Sequence, residues 1–269
     1  MQWWRKAARM TAAGAAVIAV ACFLLVREEE RVVQDFVDRA TAGVPRQDVE
    51  ATVLTLSRAI FARTNRGIPA AQLPFTERLL ATSFFNVGTT IALKYGIYGV
   101  VGQETYGPCG TMSRILLNAC WRIGIPARKL QLLPGLRSTV THTLVEFRSG
   151  DRWLVISPSD SSFVWRLADG RIATREEIQA DSLVFAQVYR SFPHYPVRFD
   201  HPSNIRWEKL PPPLRGAFRL ALGERGYAEA ETPRLYDRHR LLFLYLSLIL
   251  LGVSLAVALI GAPHEPRRA

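Results

Sequence analysis

Cysteine is scarce in this chain of 269 residues, which contains only three. Cys22 lies inside an apolar run, and Cys120 follows Cys109 on one predicted helix, about 16 Å away at about 1.5 Å per residue. Two cysteines that far apart cannot form a disulfide bond. The sequence therefore excludes a disulfide framework and predicts that Cys109 is a free thiol, unless an intermolecular bond caps it.

Metal-ligating patterns are also missing from the sequence. No group of histidines, cysteines and carboxylates has the spacing of a zinc site, and no segment resembles a calcium-binding loop. We therefore expect neither a metal nor another cofactor. Internal repeats and low-complexity tracts are absent as well.

Lysine supplies only four of the 34 basic residues, and the others are arginines. The formal net charge of +11 invites a nucleic-acid interpretation, but the arginines are scattered instead of clustered with aromatic residues. A GC-rich coding bias explains them equally well. We therefore expect no nucleic-acid partner, and some attraction to anionic lipid headgroups.

Two long apolar runs are present. Leu241–Ala262 has no charged residue, and a helix of that length crosses a hydrocarbon core about 30 Å thick. A buried core helix is the alternative, but such helices rarely lack a polar face over six turns. This run is predicted to be a transmembrane helix.

The first apolar run, Met10–Val26, is shorter and follows a basic start. It has the features of a signal peptide or of an anchor, and Ala19-Val20-Ala21 resembles a cleavage site. The run stays apolar beyond that site as far as Val26, where a cleaved signal would already be polar. An uncleaved anchor over residues 1–26 is the prediction.

Charge next to the two spans predicts their orientation. Three basic residues precede the first span and two follow it, which favours a cytoplasmic N-terminus. Arginines 234, 238 and 240 beside the second span argue against this orientation, but a segment as long as 27–240 translocates largely regardless of charge. We predict a two-span protein of the inner membrane with residues 27–240 in the periplasm and a short tail over 263–269. The lipid bilayer is then one partner.

The segment between the spans changes from helical to strand patterns, which predicts an α+β domain. The predicted helices precede a glycine-rich loop, and the predicted strands form an antiparallel meander with a turn signal at Ser149-Gly150-Asp151. The predicted elements are helices Glu28–Arg39, Gln47–Asn65 and Pro74–Lys94, loop Gly96–Pro108, helix Cys109–Ile123, strands 129–133, 139–147 and 153–156, helix Ile172–Arg190, irregular segment Ser191–Pro213 and amphipathic helix Leu214–Gly223.

Cys109 stands at the start of a predicted helix, between Gly107 and Gly110. A thiol is a useful nucleophile as thiolate, and a helix N-terminus lowers its pKa. The alternative is a small buried hydrophobe, since free cysteines are often buried. The glycines and the preceding loop favour the nucleophile.

His142 is the only histidine on a predicted core strand. Alternation places it on one face with Leu144 and Glu146. The alternative is a structural histidine that is buried in the core with its hydrogen bonds made, and it would have the same sequence pattern.

The motifs around these two residues resemble the transglutaminase-core superfamily, which has a papain-like fold. The resemblance covers Gly107–Pro158, and its four motifs are Gly107-Pro108-Cys109-Gly110, Gly124-Ile125-Pro126-Ala127-Arg128, His142-Thr143-Leu144-Val145-Glu146 and Trp153-Leu154-Val155-Ile156-Ser157-Pro158. It implies a Cys-His-Asp triad with Cys109 as nucleophile and His142 as general base and then general acid.

The third triad position departs from the family. Where the family usually has Asp directly before the proline, this chain has Ser157. Losing the carboxylate of a related triad costs about 10⁴-fold in rate, because the imidazole loses its orienting charge. A serine hydroxyl can accept from the ring, and Asp160 or Asp200 could supply the missing carboxylate.

An oxyanion hole needs hydrogen-bond donors aimed at the developing charge. The backbone N–H of Cys109 is one candidate. Gln103 resembles the glutamine that papain-like enzymes place before the nucleophile, although an exposed loop glutamine is an equal alternative. Arg128 is predicted to have a structural role, as a cap or in an ion pair.

The sequence therefore predicts a membrane-anchored thiol enzyme that acts on an amide or peptide carbonyl through a thioester. It would be a hydrolase or an acyltransferase, with a protein or peptide of the cell envelope as substrate. The alternative is a non-catalytic scaffold or peptide-binding module that keeps the fold, with Ser157 marking a decayed triad.

Overall fold

A computed structural model describes residues 3–45, 47–64, 89–96, 109–133, 142–160, 163–189, 198–205, 207 and 210–260. The helices are α1 (Trp3–Ala40), α2 (Val49–Thr64), α3 (Thr89–Tyr95), α4 (Cys109–Arg122), α5 (Arg175–Ala180), α6 (Ser182–Tyr189), α7 (Pro212–Glu229), α8 (Arg234–Asp237) and α9 (His239–Ile260), and the strands are β1 (Ala127–Leu133), β2 (His142–Ser149), β3 (Arg152–Ile156) and β4 (Arg198–Ser203). The predicted loop over 97–108 and the predicted helix before residue 89 lie outside the described residues.

The chain divides into two compact units. One consists of Met1–Glu30 and Arg234–Ala269, and the other of Arg31–Pro233. The first unit contains most of α1 and all of α9. The second contains the sheet.

The first unit is built from apolar helix. Segments Lys6–Ala40 of α1, most of which belongs to this unit, and Arg240–Leu259 of α9 are both long and apolar enough to cross a membrane. Helix α1 passes through the cleavage-like Ala19-Val20-Ala21 without a break. Arg240 donates to the carbonyl oxygen of Leu25 at 3.2 Å, so the two apolar helices are in contact near their charged ends.

In the second unit the described strands form an antiparallel sheet in the order β3-β2-β1-β4. The register pairs Leu132 with His142 across β1 and β2, and Val145 with Ile156 across β2 and β3. Gly150 closes the β2–β3 turn with φ +62°, which a glycine adopts at little cost. The predicted α+β class and the predicted hairpin are confirmed.

Side chains alternate along β2 between two cores. Val145 and Phe147 pack with α2, α3 and α4, whereas Leu144 packs on the other face of the sheet with Trp165. This confirms the alternation expected of a strand buried on both faces. The sheet therefore holds α4 firmly along one face of β2.

The predicted helix Ile172–Arg190 is wrong at its start and in its middle. Ile172 is not helical, because it pairs with Arg166 in an isolated bridge, and α5 begins only after Thr174, which forms a capping box. Asp181 then interrupts the predicted helix, since its carboxylate accepts the backbone N–H of Leu183 at the start of α6.

The segment Ser191–Pro213 was expected to be irregular, but it contains strand β4. This strand lies at the edge of the sheet, where Pro202 is tolerated because an edge residue needs no N–H on its open side. The last amphipathic helix of the unit, α7, also extends beyond its predicted end and kinks at Gly223, which has φ +69°.

Candidate active site

Cys109 is the first residue of α4 and is partly exposed. The helix is fixed by buried side chains along its length, including Met112, Ile115 and Leu116, which have no exposed surface. Its end is fixed by Gly124, which has φ +79° as expected of the residue that stops a helix. The buried side chains fix which face of α4 packs against the core, and Gly124 fixes where the helix ends. Together they fix the position of the Cys109 thiol at its start.

The Cys109 sulfur contacts His142 and two backbone N–H groups. Burial by itself would raise the pKa of this thiol, but the hydrogen bond and the charge of His142 outweigh it, and the N–H groups of Thr143 and Gly110 add to their effect. The pKa of Cys109 is therefore lowered. A lowered pKa increases the thiolate fraction near neutral pH, which is the reactive form.

His142 is the first residue of β2, and only 2% of its surface is exposed. Its Nε2 lies 3.2 Å from Asp160 Oδ2 and 3.3 Å from Ser157 Oγ. Nδ1 is thus the ring nitrogen left for Cys109. Burial lowers the pKa of the imidazole, but hydrogen bonds to Asp160 and Cys109 and the charges of both groups raise it to about 9.

Asp160 reaches His142 because the chain turns back after β3. The backbone N–H of Asp160 donates to the carbonyl of Ser157 at 3.3 Å, and the N–H of Ser157 donates to the carbonyl of Phe163 at 2.7 Å. Phe163 has φ +59°, a left-handed conformation that is uncommon for a residue with a side chain. The turn leaves Asp160 only 8% exposed beside the imidazole.

Ser157 occupies the position expected for the family's carboxylate, and its hydroxyl donates to Asp160 Oδ2. The same carboxylate oxygen therefore accepts from Ser157 and lies beside the His142 ring. The structure brings together four of the five predicted site residues: Cys109, His142, Ser157 and Asp160. Gln103 and the side chain of Asp200 lie outside the described part of the chain.

This arrangement can form a thiolate–imidazolium pair. The Cys109 thiol is more acidic than an ordinary cysteine, and His142 carries a proton up to about pH 9. The carboxylate of Asp160 lies beside the other nitrogen of the ring. Such a pair combines a nucleophile with a proton donor in direct contact. Within the described residues, no group of three or more His, Cys, Asp and Glu side chains is placed to hold a metal ion.

A second polar cluster lies farther along β2. Arg128 Nε donates to the buried carboxylate of Glu146 at 2.7 Å, and Asn204 Nδ2 donates to the same carboxylate at 3.0 Å. The Arg128 guanidinium also lies 4.1 Å from the centre of the Trp153 ring. Arg128 therefore links β1, β2 and β3, in agreement with the structural role expected of it.

One contact near the thiol was missed from the sequence. Ser113, one turn beyond Cys109, donates its hydroxyl to the carbonyl oxygen of Thr143 at 2.8 Å. The signal was a serine in the middle of an apolar helix stripe, four residues after the candidate nucleophile. A hydroxyl at such a place needs a partner, because burying it unpaired is costly.

Comparison of the chain with protein-family models, with curated proteins and with solved structures gives no match.

Proposed function

We propose that this protein is a membrane-anchored thiol enzyme with a transglutaminase-like domain of papain-like fold. The observation that carries the proposal is the continuous contact from Cys109 through His142 to Asp160. The pKa of the thiol is lowered while the pKa of the imidazole is raised to about 9, as a nucleophile and its proton donor require.

The proposed reaction proceeds through a thioester. The Cys109 thiolate attacks the carbonyl carbon of an amide or peptide, and the carbonyl oxygen becomes an oxyanion that the backbone N–H of Cys109 can stabilise. The His142 imidazolium then gives its proton to the leaving amine as the C–N bond breaks. Water or a second amine next attacks the thioester, His142 accepts the proton of this nucleophile, and a carboxylate or a new amide leaves with the thiolate restored.

In this proposal Asp160 takes the role that the family gives to the residue at position 157. The carboxylate fixes the ring so that Nδ1 faces the thiol, and its charge stabilises the imidazolium. The Ser157 hydroxyl supports the carboxylate by donating to the same oxygen. The triad therefore keeps a carboxylate, although this carboxylate belongs to Asp160 and not to the residue at position 157.

The proposal places the domain in the periplasm and the two spans in the inner membrane. The main argument against this orientation is the arginines beside the second span. Arg238 pairs with Glu30 at 3.1 Å, and Arg240 lies 3.9 Å from Glu29 and 4.0 Å from Glu28. Pairing with a carboxylate makes these two charges less costly to move across the membrane. We therefore propose a substrate of the cell envelope, such as a protein or peptide.

An activated ester tests the thioester step without knowledge of the natural substrate. Mixing the detergent-solubilised protein with p-nitrophenyl acetate should release a burst of one p-nitrophenolate per protein molecule. Intact mass should then show one added acetyl group, and peptide mapping should place it on Cys109. Cys109→Ser and His142→Ala should remove the burst. Cys120→Ser is the matched control and should keep it.

The non-catalytic alternative has one observation in its favour, because His142 and Asp160 are almost wholly buried and only Cys109 is partly exposed. In a scaffold, Cys109 would show no burst, or a slow acetylation that His142→Ala leaves unchanged. Either result would contradict the proposed enzyme.

A further inference from the structure

Within the proposed function, we infer that Ser113 is a positioning residue that holds the Cys109 thiol against His142. Ser113 has no exposed surface, and its Oγ donates to the carbonyl oxygen of Thr143 at 2.8 Å. Thr143 directly follows His142 on β2. The bond therefore ties the first turns of α4 to the residue next to the imidazole.

Both backbone groups of Thr143 are used by α4. Its N–H contacts the sulfur of Cys109, and its carbonyl accepts from Ser113. Among the described residues, the pairing of β3 with β2 begins only at Val145. On the side of β2 that faces β3, the first turns of α4 thus take the place of a paired strand beside Thr143. They supply hydrogen-bond partners for the N–H and the carbonyl of this buried residue.

Helix geometry explains why these two side chains act together. Cys109 and Ser113 are four residues apart, so they lie on the same face of α4, one turn from each other. Ser113 donates to the carbonyl of Thr143, and Cys109 accepts from the N–H of Thr143. Fixing the carbonyl also fixes the N–H of the same residue, which is one of the groups that lower the pKa of Cys109.

Threonine and valine at this position form a matched pair, since they have the same shape and differ only in the hydroxyl. Relative to serine both add one methyl group, so the strain from that methyl is common to the two variants, whereas valine also replaces the hydroxyl by a second methyl. The readout is the rate of Cys109 alkylation by iodoacetamide between pH 5 and 10, resolved from the other cysteines by peptide mass spectrometry. It needs no substrate.

Ser113→Val should move the Cys109 profile to higher pH and lower the alkylation rate at pH 6 by about tenfold, which corresponds to the loss of about one hydrogen bond. Ser113→Thr should keep the parent profile. Ser57→Ala is the control, because Ser57 is fully buried on α2 and its hydroxyl has no hydrogen-bond partner among the described residues. It should not change the profile.

Equal profiles for Ser113→Val and Ser113→Thr would overturn the inference, because Ser113 would then only fill space. That result differs from a failure of the proposed function. The function fails if His142→Ala leaves the Cys109 profile unchanged, whereas the Ser113 inference fails alone if His142→Ala shifts the profile and Ser113→Val does not.

Discussion

The two ends of helix α4 hold the same functional group in opposite surroundings. Cys109 begins the helix and its pKa is lowered, whereas Cys120, near the other end, is fully buried and burial raises its pKa to about 12. Burial opposes ionisation of both thiols. The difference arises because only Cys109 has a histidine beside it and backbone N–H groups other than its own pointing at the sulfur. Cys109 is also less buried than Cys120, but its partners are what bring its pKa below that of an ordinary thiol, because burial acts in the opposite direction.

The largest expected effect on acylation comes from removing the Cys109 thiol, and removal of the Cys120 thiol is its control. Cys109→Ser should abolish the p-nitrophenyl acetate burst, because a serine hydroxyl in this site stays protonated near neutral pH. Cys120→Ser should leave the burst intact and lower the free energy of unfolding by about 2 kcal/mol, since it buries a hydroxyl in an apolar core. Stopped-flow absorbance and denaturant titration measure the two effects. If a folded Cys120→Ser variant loses the burst, the contrast between the two thiols is contradicted.

Removing the carboxylate behind His142 should have the next largest effect. Asp160→Asn should slow acylation by about 10⁴-fold, because the ring loses the charge that orients it and stabilises the imidazolium. Ser157→Ala should cost about tenfold, since it removes one hydrogen bond to that carboxylate.

The double variant Ser157→Asp, Asp160→Asn sharpens this point. It moves the acid to the position that the transglutaminase-core family uses, and acylation should recover at least in part relative to Asp160→Asn. If Asp160→Asn acylates as fast as the parent protein, the carboxylate has no orienting role.

The pH dependence of acylation follows from the two shifted groups. The pKa of Cys109 is lowered, so the rate should rise with pH below the ordinary thiol range as the thiolate forms. The pKa of His142 is raised to about 9, so acylation by an amide, whose amine leaving group takes the imidazolium proton, should slow above about pH 9 as that proton is lost. Initial acylation rates with an amide such as a p-nitroanilide should therefore give a bell-shaped curve across this range. A single rise centred near the ordinary thiol pKa would contradict the pairing.

The smallest effect on the thiol should come from the second polar cluster. Glu146→Gln removes the charge that Arg128 pairs with, and it should lower the free energy of unfolding by about 3 kcal/mol because the pair is partly buried. The Cys109 alkylation profile of the folded variant should stay unchanged. A shifted profile would mean that both clusters on β2 form one electrostatic unit.

Local patterns predicted the elements that carry the site. The glycines around Cys109 and the apolar stripe after it indicated α4, and alternation indicated β2, because both signals depend on nearest neighbours along the chain. The α+β class followed from the order of those elements. The apolar runs likewise predicted two helices with the length and composition of membrane spans.

Contacts that depend on a turn or on the edge of the sheet were not predictable in the same way. Asp160 was one of two candidate carboxylates, because only the backbone bonds of the turn after Ser157 decide which carboxylate reaches the imidazole. Strand β4 was missed because an edge strand tolerates the proline that usually argues against a strand. Ser113 was missed because its partner is a backbone carbonyl on another element.

The most direct test of this account is the alkylation rate of Cys109 relative to Cys120 in the folded protein. Iodoacetamide at pH 6 should label Cys109 at least tenfold faster than an ordinary unhindered thiol, leave Cys120 unlabelled, and lose the Cys109 advantage in His142→Ala. A Cys109 that titrates as an ordinary thiol near pH 8.5, with or without His142, would contradict the account.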